Sequence, residues 1–166
     1  MALTEEMIKI ASKINPKFIC IVPEKRNEIT TEGGLNLNKI SQAKLKKLLK
    51  ISEKKNIQLS AFINPTKKMI NLAKNLGFDT VELHTGNLDK KIVRKSTINQ
   101  INEMIEYAHS QKLIVNVGHG LNFKNIKFIK KRKYVDTVHV GHFIISEAIF
   151  ISLTKTINIF RNLIKK

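Results

Sequence analysis

The chain has 166 residues, 42% of them hydrophobic, with a formal net charge of +17 and a single cysteine. That length suits one domain with a real core, and the apolar fraction argues against disorder. No apolar run approaches the ~20 residues that cross a bilayer, a secretory leader pattern is missing at the N-terminus, and one cysteine forms no intrachain disulfide, so a cytoplasmic protein is expected.

The first predicted element is a helix. Thr4 can cap it, Glu5 and Glu6 complement its dipole, and Met7, Ile10, Ala11 and Ile14 share one face. The apolar run Phe18–Val22 reads as a strand that stops at Pro23. It empties into VPEKRNEITTEGGLNL, residues 22–37, dense in charge, hydroxyls and glycine. Further strands are predicted at Ile57–Ile63, Thr80–His84, Leu113–Gly118 and Thr137–Gly141. Between them Met69, Leu72, Ala73 and Leu76 fall at helical spacing, with Gly77 as the stop. Ile98, Ile101, Ile105 and Ala108 repeat it, and Phe143 to Ile164 reads as one long closing helix.

Strand and helix in alternation imply parallel strands with right-handed crossovers, an α/β fold. The strand spacing fits a (β/α)8 TIM barrel, whose eight units take roughly 250 residues. About five units fit here by that template, and the chain opens on a helix. The pattern therefore reads as a small open α/β sheet or as the C-terminal part of a barrel, one domain over residues 1–166.

The positive charge does not point to nucleic acid. Arginine, best suited to phosphate and base edges, occurs only as Arg26, Arg94, Arg132 and Arg161. The lysines punctuate helix faces and no base-stacking aromatic cluster accompanies them. The charge can still draw in anionic substrates.

Chemistry-bearing residues gather at strand ends. Thr30, Thr31, Gly33 and Gly34 offer hydroxyls and backbone amides to a phosphate or polyol, or form an ordinary βα loop. Glu82 and His84 face one side of their strand. A carboxylate on an inner face is costly unless paired or functional, and His84 or Asn116 are the partners considered; His84 itself reads as structural. Gly118-His119-Gly120 sets an imidazole that can move protons near neutral pH between two permissive positions. Gly141-His142 precedes the closing helix, whose free amides suit phosphate. His139, facing the same way as Gly141, reads as a core residue. Four histidines near strand ends raise metal binding, but without an HExxH or paired-cysteine signature no metal is expected. Cys20, in mid-strand, is not expected to be a nucleophile.

Taken together, VPEKRNEITTEGGL, ELHTG, NVGHGLN and VGHFIISEA resemble pyridoxine 5′-phosphate synthases over essentially the whole chain. The resemblance implies a βα barrel with extra helices, a cytoplasmic homo-oligomer, and no metal or organic cofactor. It implies condensation of 3-amino-2-oxopropyl phosphate with 1-deoxy-D-xylulose 5-phosphate to pyridoxine 5′-phosphate, phosphate and water. It makes His119 a proton donor and Glu82 a transition-state stabiliser. It also makes Thr30 a contact to the deoxyxylulose phosphate, and Gly120, Gly141 and His142 contacts to the amino-oxopropyl phosphate. The family pattern begins with three further strands carrying an Asn-x-Asp-His motif, an arginine, a catalytic histidine and a catalytic glutamate. Met1-Ala2 aligns with the Met-Ala that follows that glutamate. The expectation is an N-terminally truncated barrel of about five βα units. Met1 then reads as an internal methionine taken as a start, or the chain as a remnant that keeps its phosphate-binding loops, or as one half of a pair with a separate N-terminal fragment; alone, such a chain is expected to aggregate or lack activity.

Overall fold

The computed structural model describes residues 1–23, 33–129 and 131–165. Five strands run in parallel: β1 (Phe18–Ile21), β2 (Gln58–Ile63), β3 (Thr80–His84), β4 (Ile114–Gly118) and β5 (Thr137–His139). They lie side by side in chain order, the winding of a βα barrel carried through five strands. The architecture is a parallel α/β half-barrel.

Among the described residues the α-helices are α1 (Glu5–Ile14), α2 (Gln42–Lys55), α3 (Lys67–Asn75), α4 (Lys95–Ser110), α5 (His142–Ile151) and α6 (Leu153–Ile164). Thr4 caps α1 as expected, its hydroxyl accepting from the Met7 amide at 3.1 Å, worth about 1 kcal/mol. Gly77, at φ 87°, takes the left-handed turn that follows α3. Apolar side chains divide the sheet into two faces. Ile19, Ile21, Leu59, Ala61, Ile63, Val81, Leu83, Val115 and Val117 join the helices in one buried cluster. Each valine, leucine or isoleucine among them contributes about 1.5–3 kcal/mol on burial. The intervening residues, Cys20, Phe62, Glu82, His84 and His139 among them, point to the opposite face. That face carries the titratable side chains of the sheet.

Three expectations change. The long closing helix is broken: Ser152 adopts φ 74°, ends α5 and caps α6, its hydroxyl accepting from the Lys155 amide at 3.4 Å. β5 stops at His139, because Gly141 is already the N-cap of α5. Helix α2 was not singled out by the apolar spacing, although it buries Leu45, Leu48 and Ser52 along one face.

Candidate active site

Parallel register brings the reactive groups to one end of the sheet. Glu82 pairs across β2 and β4 with Phe62 and Asn116, and Gly118 sits between His84 and His139. The Glu82 side chain is only 7% exposed. Its Oε2 lies 2.7 Å from His139 Nδ1 and 3.5 Å from the Cys20 thiol. Its Oε1 lies 4.0 Å from His119 Nε2. A Cβ at Gly118 would collide with that Oε1, so the glycine is what admits the carboxylate.

The partners differ from those first considered. Asn116 turns its carbonyl oxygen to the Thr137 amide, 3.2 Å away, anchoring the start of β5. His84 packs edge-on against Phe62, ring centroids 5.3 Å apart. His139 is no core residue: its side chain is 43% exposed and engages Glu82 directly. Alternation predicted its direction correctly, but β5 is the last described strand of the sheet and its inner face is open to the cleft.

His119 stands just past β4 with φ 70°, a left-handed conformation that costs a non-glycine residue about 1–2 kcal/mol. Neighbours hold it there. Its ring packs on buried Phe62 at a centroid distance of 4.3 Å. The Thr85 hydroxyl lies 2.7 Å from the carbonyl oxygens of both Gly118 and His119. Asn125 donates to the carbonyls of Leu88 and Gly120, and Asn122 donates to Asp89. These bonds lock the loops after β3 and β4 together. Gly120, at φ 67°, packs so closely on Gly86 that a Cβ would strike its backbone.

Burial holds the His119 pKa below the ordinary histidine value. Nearby Glu82 pulls it up, and His139 adds to the lowering. Burial likewise lowers His84, helped by His119. His139 moves the other way, raised chiefly by its hydrogen bond to Glu82. Burial, with Glu82 beside it, pushes the Cys20 thiol up to about 12, so it stays protonated and can donate. It is no nucleophile at neutral pH.

These groups border an open cleft of about 1340 Å³. Glu82, His84, His119 and Gly120, from β3 and β4 and the loops after them, line it together with Gly141, His142 and Phe143 at the start of α5. Gly141 caps the N-terminus of α5, where amides point outward, and a Cβ there would meet nothing within 4 Å. Packing does not demand that glycine. Lys90, which sequence reasoning did not single out, lines the same cleft; one lysine among 30 basic residues gives no signal. Thr30 and Thr31 lie outside the described residues. Among the described residues no cluster of three or more His, Cys, Asp or Glu side chains is arranged to hold a metal ion. No described helix is long and apolar enough to cross a membrane.

Comparison with known proteins decides the family. The profile of the "Pyridoxal phosphate biosynthesis protein PdxJ" family matches residues 1–166. The chain belongs to the PdxJ family. Its relatives include a pyridoxine 5′-phosphate synthase of Prochlorococcus marinus (strain MIT 9215), 42% identical over 99% of this chain and 69% of that one. The same enzyme of Pelagibacter ubique (strain HTCC1062) is 42% identical over 100% of this chain and 71% of that one. In Thermodesulfovibrio yellowstonii the figures are 40%, 100% and 69%. A solved 3-hexulose-6-phosphate synthase superposes with a TM-score of 0.66 over 99% of this chain and 70% of its own. At 13% identity that likeness concerns the fold alone.

Proposed function

We propose that the cleft carries out the ring closure of pyridoxine 5′-phosphate synthase, in vitamin B6 biosynthesis. The family match over the whole chain supports the enzyme class, a transferase. The observation that carries the site is the Glu82–His119 pair, 4.0 Å apart, lining one cleft with the N-terminus of α5.

The substrates in this reading are 3-amino-2-oxopropyl phosphate and 1-deoxy-D-xylulose 5-phosphate. Joining them requires imine formation, loss of phosphate and water, and carbon–carbon bond formation, with protons moved at each stage. His119 suits that traffic. A depressed pKa leaves it neutral at rest, so it accepts a proton in one step and returns it readily to a leaving oxygen in a later one. Glu82, anchored through Oε2, presents Oε1 to the positive charge that builds on His119 or on the iminium nitrogen. The amides at the start of α5, with Gly141 and His142, receive the phosphate of the amino-oxopropyl substrate, and Gly120 lets it approach. Thr30 is assigned to the other phosphate by resemblance alone. A cytoplasmic location and a homo-oligomer, or a companion fragment bringing further βα units, belong to the same proposal.

The open five-stranded sheet supports a second reading, in which the loops bind phosphorylated compounds without turnover. Both substrates are incubated with the full chain and product is followed by mass spectrometry. Pyridoxine 5′-phosphate should form, and His119→Ala should lower its rate by about 10²–10⁴-fold, the worth of a positioned acid–base group. Saturable binding of both substrates without product would favour the second reading.

A further inference from the structure

We propose that His139 is a positioning residue for Glu82: its Nδ1–H, with the Cys20 thiol, fixes Oε2 so that Oε1 is aimed at His119. This rests on the synthase reading of the cleft. The geometry is one-sided. Among the described residues, Oε2 takes the 2.7 Å bond from His139 and the 3.5 Å contact from Cys20, whereas Oε1 has the 4.0 Å approach of His119 alone. Asn116, beside Glu82 in register, is committed to the Thr137 amide. A carboxylate this buried depends on its few donors.

Packing gives no other reason for an imidazole at position 139. Its side chain is 43% exposed and it stands outside the apolar cluster. The neighbouring strand instead keeps a glycine at 118, against which both the Glu82 carboxylate and the His139 Cβ close in. Two positions are thus shaped around one carboxylate orientation. Among the described residues, the charged or titratable groups in reach of the pair are Cys20 from β1, His84 on β3, His119 after β4 and the Met1 amino group. Asp89, Lys90 and His142 also line the cleft.

Two measurements on the full chain test the assignment. In the first, the histidine C2–H signals are titrated by NMR in the unmutated protein and in Glu82→Gln. His139 should titrate above the ordinary value near ~6.5 and fall back toward it in the variant. A His139 that titrates ordinarily and ignores Glu82→Gln overturns the pairing, whether or not product forms. The second measurement is turnover. His139→Leu should lower kcat by about ten- to a hundredfold with KM nearly unchanged, the cost of a slightly misaimed group. His139→Asn keeps a hydrogen-bond donor without titrating and should restore most of the rate. If Asn is as damaging as Leu, or if both match the unmutated chain, positioning is wrong. Circular dichroism of each variant confirms folding. Absence of product from the unmutated chain would count against the synthase reading, while the titration decides the pairing on its own.

Discussion

The two sides of the cleft are built differently. On the β3–β4 side, strands are buried along nearly their whole length, and Thr85, Asn122 and Asn125 tie the following loops backbone to side chain. On the β5–α5 side, the strand has three residues, none buried. Helix α5 buries none of its ten residues, and Ile145, Ile149 and Phe150 stand exposed. Proton-transfer groups need placement within a fraction of an ångström, and the two residues proposed for the acid–base work, His119 and Glu82, occupy the rigid side. Phosphate capture by a helix N-terminus relies on charge and amide direction, which tolerate looser packing. His139 is the bridge, a residue of the loose side whose bond reaches the rigid one.

The largest effect expected on this contrast is that of Gly118→Ala. The added methyl takes the space of Glu82 Oε1, and the atom that must yield is the end of a side chain rather than backbone. Folding should survive while the carboxylate swings away from His119. Turnover should drop by about a hundredfold, with the thermal midpoint nearly unchanged. Activity within twofold of the unmutated chain would mean that the position of Glu82 does not matter, and the rigid side would lose its claim to the chemistry.

Asn125→Ala tests the scaffold. Its amide donates to the carbonyls of Leu88 at 3.1 Å and Gly120 at 2.6 Å, and its oxygen accepts from the Asn122 amide at 2.8 Å. Asn125 is almost wholly buried, so alanine strands those groups without water. A loss of about 2–3 kcal/mol of unfolding free energy is expected, measured in urea with an unchanged slope. A smaller loss, below about 0.5 kcal/mol, the range of ordinary surface changes, would show that the two loops do not depend on this lock.

The same contrast explains what could be read from the sequence. β3 was legible to the residue, Thr80–His84, because a buried strand bounded by polar turns leaves a clear pattern. Glu82 and His119 stood out because a carboxylate in an apolar strand and an imidazole between glycines are both conspicuous. The loose side was harder to read. The break at Ser152 lies between Ile151 and Leu153 with neither glycine nor proline to mark it, so an apolar run looked continuous. Helix α2 escaped because lysines crowd its sequence and dilute the apolar spacing. His139 was placed on the correct face but assigned to the core, since alternation gives direction and not the depth of what lies beyond. The contact of Cys20 with Glu82 joins residues 62 apart in the chain, and nothing local signals it.

The smallest expected effect is the one that defines the loose side. Phe150 is 82% exposed near the C-terminal end of α5, and no described ring packs against it. In the rigid half a phenylalanine such as Phe62, fully buried under His84 and His119, would cost about 3–5 kcal/mol on truncation. Phe150→Ser removes almost no buried area, and serine and phenylalanine have about the same helix propensity. The unfolding free energy should therefore change by less than about 0.5 kcal/mol, and solubility should rise as exposed apolar area falls. Urea denaturation of the dilute protein measures it. A loss of 2 kcal/mol or more, of the order of a buried side chain, would mean that α5 is covered in solution by something beyond the packing described here. In that case the β5–α5 side would be as firmly built as the β3–β4 side.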